Sequence, residues 1–262
     1  MIAFSHSGHD YGVLVSRWQA LAVRLDLKLS VLCEAGTYPV IVLENAQAIA
    51  GAPDGVYLSA GVHGDECAPL WGLLHWAESE PAILRTRAVV IFPCLNPHGL
   101  VENTRRDENG VDLNRCFENL ECPLVRAWTD FLDGRRFALS LNLHEDYDAG
   151  GIYLYELARD ESRGESLLAA CEEIIPREMA STVDGSDFHR GLLTRSGDLE
   201  KVVEEDLGGG YPEAILLFLR YSRDSYTFET PSEQDLATRI RAHEEFISAA
   251  LREPGDPPAG PD

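Results

Sequence analysis

The apolar run Gly55-Val-Tyr-Leu-Ser-Ala-Gly61 has the length of a strand and leads directly into Val62-His63-Gly64-Asp65-Glu66. A strand that ends on a histidine, with a glutamate three residues later, fits a divalent metal held at a strand-to-helix turn. Zinc takes His nitrogens and Glu oxygens, and a catalytic zinc has three protein ligands with one position open to water. A third ligand must then come from elsewhere in the chain, together with a general base and a substrate anchor.

The pattern around this stretch alternates. Val13, Leu14, Trp18, Leu21 and Leu25 recur at helical spacing. The runs 27–32 and 38–43 are rich in β-branched residues, and the Gly and Thr between them suit a hairpin. Beyond Glu66, Ala68 to Ala77 reads as a helix with Pro69 in its first turn. Ala88-Val-Val-Ile-Phe92 is a continuous apolar strand that empties into the loop Pro93 to Gly99. A helix is expected over 123–132, a strand over 137–143 ending at His144, another over 152–155, and a helix over 161–175. Residues 182–210 read as loop. Residues 214–219 and 225–228 read as the last strands, and Thr230, Pro231 and Glu233 as the capping box of the final helix.

Strands alternating with helices predict an α/β fold: a single domain over 1–252, its central mixed, twisted sheet flanked by helices. Residues 253–262, polar and proline-rich, are expected to be a disordered tail. In such sheets ligands lie beyond the carboxyl ends of the strands. His63, Glu66, Asn96, His144 and Glu229 all follow strand ends, so five segments are expected to converge on one edge.

Composition narrows the partners. The 262 residues, 45% hydrophobic and 25% charged, suffice for one domain with a well-buried core. A net charge of −22 makes nucleic acid and anionic membranes repulsive partners. The start, Met1-Ile-Ala-Phe-Ser-His-Ser7, lacks the basic and apolar regions of a secretory signal. No apolar run reaches the roughly 18 residues that span a bilayer. The six cysteines lack metal-ligand spacing and are expected to be buried free thiols in a cytoplasmic protein. Oligomeric state is not readable from the sequence.

Several histidines take plainer readings. His6, His9 and Asp10 fit a terminal loop, and His75, His98, His189 and His243 are structural or surface residues. Cys67 is expected to point into the helix packing.

Taken together, His63-Gly-Asp-Glu66, Asn96-Pro-His-Gly99, Thr104-Arg105, Gly110-Val-Asp-Leu-Asn-Arg115, Leu143-His144 and Thr227-Phe-Glu229 resemble the zinc carboxypeptidase family. The likeness runs from Gly55 to Pro231. It implies one zinc per chain, with His63, Glu66 and His144 as ligands and Asp112 orienting His63 from behind. It makes Glu229 the general base, Arg105 the cation that stabilises the oxyanion, and Asn114 with Arg115 the clamp on a substrate carboxylate.

The chain departs from the family pattern in places. His98 stands where the family has Asp, and the acidic run Glu145-Asp146-Tyr147-Asp148 follows the third ligand. The tyrosine that closes over substrate has no secure counterpart; Tyr211 is the candidate, with Tyr221 the runner-up. The expected activity is hydrolysis of an amide in a small peptide or amino-acid amide. The alternative is an N-acyl amino acid deacylase, like the aspartoacylase and succinylglutamate desuccinylase relatives, which share the core site. A non-catalytic binding protein of the same fold is the lesser alternative.

Overall fold

The computed structural model describes residues 8–52, 54–159, 161–183, 185–195 and 197–252. His6 and the 253–262 tail therefore lie outside the described residues. Asp10 starts the first helix, α1 (Tyr11–Leu25), by accepting the Val13 amide at 2.9 Å, and Asp26 ends it at φ 56°. Its buried stripe is Leu14, Trp18, Leu21 and Leu25, as the sequence spacing requires. The hairpin β1 (Lys28–Ala35) and β2 (Tyr38–Glu44) turns through Gly36, whose φ of 61° suits a residue without a Cβ.

The short α2 (Ala46–Ile49) precedes β3 (Gly55–Ala60). Helices α3 (Ala68–Ser79) and α4 (Pro81–Thr86) then lead to β4 (Val89–Phe92). Next come α5 (Pro97–Glu102), a 3₁₀ turn over Leu113–Arg115, and α6 (Pro123–Leu132). Strands β5 (Phe137–Asp146) and β6 (Tyr153–Leu157) are followed by α7 (Gly164–Cys171). The two-residue strands β7 (Thr182–Val183) and β8 (Ser186–Asp187) pair with each other. The remainder is β9 (Leu192–Thr194), α8 (Leu199–Asp206), α9 (Glu213–Arg220), β10 (Ser222–Pro231) and α10 (Leu236–Leu251).

Eight strands form one sheet in the order β1-β2-β4-β3-β5-β10-β6-β9. Its centre, β4-β3-β5-β10, is parallel, so four carboxyl ends open on the same edge. The flanking pairs β2 with β4 and β6 with β10 are antiparallel, which makes the sheet mixed.

The two faces of this sheet differ. Val56, Leu58, Leu139, Leu141, Leu143, Tyr226 and Phe228 face one way and pack with α1, α3, α7 and α10. That face is apolar along its length, and full burial of each such side chain is worth about 1.5–3 kcal/mol. The opposite face is divided. Tyr57, Val90, Phe92 and Phe137 pack with Trp128 of α6 and with Leu216 and Leu217 of α9. Toward the carboxyl ends the same face turns polar, in rows set by register. Ser59, Asn142, Thr227 and Tyr155 are successive partners across β3, β5, β10 and β6. His144, Glu229 and Tyr153 form the next row. Among the described residues no helix is long and apolar enough to cross a membrane.

Three expectations need correction. Residues 214–219 are helical, within α9, because Ile215, Leu216 and Leu217 bury one side of a helix against the sheet. Six consecutive apolar residues carry no period, so strand and helix look alike there. The final helix is not capped by Thr230: Thr230 and Pro231 still belong to β10, with Pro231 opposite Asp146, and Asp235 is the cap. Finally, 182–210 is not all loop, since it holds the edge strand β9 and helix α8.

Candidate metal centre and substrate cavity

The loop after β3 places His63 and Glu66, and the carboxyl-terminal end of strand β5 places His144; all three are buried. Their candidate ligand atoms lie within 4.8 Å of one another. One Glu66 oxygen is 2.5 Å from His63 Nδ1 and the other is 3.0 Å from His144 Nδ1. The imidazole centroids are 5.0 Å apart. Two nitrogens and a carboxylate converging in a buried site match the donor set of a catalytic zinc.

Neighbouring groups fix this cluster. His63 Nε2 faces Asp112 Oδ1 at 3.2 Å, so the nitrogen away from Glu66 has the carboxylate partner that orients metal-binding histidines. Asp112 also accepts the Asn114 amide at 3.0 Å and Arg105 Nε at 3.0 Å. Glu145 donates its backbone N–H to Glu66 at 3.1 Å and accepts the Ala68 amide at 2.8 Å, tying β5 to the start of α3. Its carboxylate pairs with Arg239.

The electrostatics follow from this packing. Burial alone would lower the His63 pKa; the Glu66 charge and the Asp112 hydrogen bond outweigh it and raise the value to about 9. Burial would raise Glu66, yet the two imidazoles hold it well below the usual carboxylate range. Asp112 is likewise held low against its burial, by His63 and Arg105. The Glu66 and Asp112 carboxylates are held in their anionic form, which suits a cation.

Arg105 reaches the cluster directly. Its Nη1 is 3.2 Å from His63 Nδ1 and 3.6 Å from Glu66 Oε1. Asn96 explains how the Arg105 loop is held. Its side chain caps α5 by accepting the Gly99 amide at 2.9 Å and donates to the Arg105 carbonyl at 3.3 Å. Asn96 is therefore a structural residue beneath the site. Gly99 follows from the same contact, because a Cβ there would meet the Asn96 amide nitrogen at 2.4 Å.

A cavity of about 1020 Å³ opens on the cluster. Its walls include Arg105, Asn114, Arg115, Glu229, Tyr153 and Tyr155. Glu229 is buried beside His144 in the register of the sheet. Arg115 is exposed at the end of the 3₁₀ turn, where Nη1 donates to the Asn114 carbonyl at 2.9 Å. Asn114 Oδ1 accepts the Glu213 amide at 2.9 Å.

Tyr211 and Tyr221 are not brought to the ligand cluster. The Tyr211 ring packs against apolar side chains of two core groups, and Tyr221 lies edge-on to Trp128 at 5.6 Å. The tyrosines that line the cavity are Tyr147, Tyr153 and Tyr155. The sequence singles out Glu145 and Tyr147 only as part of an acidic run, while Tyr153, Tyr155, Arg195 and the polar row on the sheet received no role from it. The alternation in Ser140-Leu-Asn-Leu-His144 and Ser225-Tyr-Thr-Phe-Glu229 was the available signal.

Residues 53–121 match the sequence model of the succinylglutamate desuccinylase/aspartoacylase catalytic domain. That span holds His63, Glu66, Arg105, Asp112, Asn114 and Arg115. No curated protein sequence matches the chain. Among solved structures, a Shewanella amazonensis SB2B protein provisionally named a metallopeptidase superposes with a TM-score of 0.80 at 23% identity, over 92% of each chain. A metallo-carboxypeptidase from Burkholderia cenocepacia gives 0.65 at 16% identity, over 92% of this chain and 68% of its own. Carboxypeptidase A from Helicoverpa armigera gives 0.64 at 16% identity, over 93% and 73%. The fold is that of the zinc carboxypeptidases.

Proposed function

We propose that this protein is a zinc-dependent hydrolase of carboxypeptidase type, cleaving an amide bond in a small peptide or amino-acid amide that bears a free carboxylate. The observation that carries this reading is the buried His63, Glu66, His144 cluster opening on a large cavity, with Glu229 in register beside His144. His63 and His144 would hold the ion through Nδ1, and Glu66 through a carboxylate oxygen. Bound there, zinc supplies Lewis acidity, which acidifies a water and polarises the amide carbonyl.

The chain's own groups do the rest. Glu229 takes the proton from the attacking water and returns it to the leaving amine. Arg105, steered by Asp112, opposes the negative charge that develops on the carbonyl oxygen. Asn114 and Arg115 hold the substrate carboxylate, a task suited to a guanidinium fork.

A second reading is supported by the desuccinylase/aspartoacylase match: the same groups would hydrolyse an N-acyl amino acid. Metal analysis of the native protein, followed by a panel of short peptides, amino-acid amides and N-acyl amino acids, tests both. Release of C-terminal residues supports the first reading, and turnover of acyl amino acids alone would replace it with the second. Metal uptake without any turnover would leave the binding-protein alternative. Failure to take up metal with all three ligands intact would remove the scheme.

A further inference from the structure

Glu213, the first residue of α9, is 1% exposed, and the mechanism above gives it no task. Its carboxylate accepts the Tyr57 hydroxyl at 2.5 Å, and that hydroxyl in turn accepts Trp128 Nε1 at 2.8 Å. Ser59 and Asn142 lie beside the carboxylate and favour its charged form against the burial that raises its pKa. Asn142 donates to Ser59 at 3.0 Å and accepts Ser225 at 3.3 Å, so the group is continuous with the polar face of the sheet. Burying a carboxylate is expensive even when it is well bonded. Simple packing of α9 would be served as well by an apolar residue.

The bond that gives Glu213 a purpose runs the other way. Its backbone N–H donates to Asn114 Oδ1 at 2.9 Å. With that oxygen engaged, the Asn114 amide turns its NH₂ end to other partners, and only that end can donate to a carboxylate. Pro212 and Ala214, on either side of Glu213, line the cavity. The position of this one N–H therefore depends on how firmly the first turn of α9 is tied to β3 and β5.

We propose that Glu213 is a positioning residue: by anchoring α9 to the buried Tyr57 of β3, it sets the orientation of the Asn114 amide and thereby recognition of the substrate carboxylate. This rests on the reading that Asn114 and Arg115 clamp that carboxylate.

The test uses the zinc-loaded protein and the fastest substrate of the panel, supplied with a free carboxylate and as its amide. The wild type is expected to prefer the free carboxylate. Glu213→Ala is expected to raise KM for that form about tenfold, with kcat within twofold and metal content unchanged, while KM for the amide stays put. Glu213→Gln, which still accepts from Tyr57, restores most of the preference. Adding Asn114→Ala to Glu213→Ala costs little more than either change alone, because both act through one amide. A fall in kcat with the preference intact, or losses that multiply, would overturn the proposal. Should Glu213→Ala not fold, Tyr57→Phe removes one anchoring bond and is expected to raise the same KM about threefold; a folded Tyr57→Phe with unchanged preference overturns it too. A wild type with no carboxylate preference would instead refute the clamp itself, and this inference with it.

Discussion

Glu229 lies directly beside His144, its in-register neighbour on the adjacent parallel strand, and both are buried. The distance between the two residues is therefore set by the spacing of a hydrogen-bonded sheet, about 4.8 Å between strands. Glu229→Gln keeps the shape of that row and removes the proton acceptor. Turnover is expected to fall by about 10²–10⁴ with metal content unchanged. Loss of metal from a folded Glu229→Gln protein would contradict the division of roles.

Asp112 holds His63 from the side away from Glu66 and also holds Arg105. Asp112→Asn is expected to weaken metal binding about 10–100-fold, measured by competition with a chromophoric chelator. Because a proton on His63 Nδ1 and an ion compete for the same lone pair, uptake should also strengthen as pH rises toward 9, the region to which Glu66 and Asp112 raise this histidine against its burial. An affinity unchanged in the variant would separate Asp112 from the metal site.

These two predictions rest on residues that the sequence made legible. His63, Glu66, His144 and Glu229 stand at the ends of apolar runs, and strand ends can be located without knowing which strands pair. The same reading missed Ser59 and Asn142 and gave Thr227 no task beyond its motif, because their importance depends on β3, β5 and β10 being neighbours in register. It also misread Ala214 to Leu219, where an unbroken apolar run hides its period. Thr230 and Pro231 looked like a helix start because the local motif matched; long-range pairing with β5 extends the strand through both residues. Tyr147, Tyr153 and Tyr155 line the cavity through tertiary placement, so local spacing gave no guide to them.

His243 is fully buried on α10, 3.1 Å from the Thr230 hydroxyl. Burial, and then the charges of Arg239 and His144, lower its pKa from 6.5 to about 3. Between those values the unfolded chain binds a proton that the folded chain refuses. Its contribution to stability is present in full above pH 6.5 and declines as pH falls toward 3. Acidification from pH 6.5 to 4.5 should cost about 2–3 kcal/mol through this residue. Urea unfolding of His243→Gln should show a shallower acid limb than the wild type, even if the variant is weaker at pH 7.

Gly64 sits between His63 and Glu66 in their loop, against the start of α5. A Cβ there would lie 1.9 Å from the Gly99 carbonyl carbon and 2.2 Å from the Leu100 nitrogen. Backbone atoms cannot swing aside as a side chain can. Gly64→Ala is expected to cost about 3 kcal/mol or more, or to displace the loop that carries His63 and Glu66. A thermal melt and a metal assay on the variant check this; a wild-type Tm with full metal occupancy would show that the loop has room it does not display.

The division between the two faces of the sheet has an evolutionary consequence. The face under α3 and α10 supplies cohesion, while on the opposite face the small polar Ser225 and Thr227 line the cavity. Replacing Ser225 or Thr227 would reshape the cavity wall while leaving the principal packing layer intact. Lineages built on this frame could thus exchange one substrate for another by a few substitutions, without first finding a new way to fold.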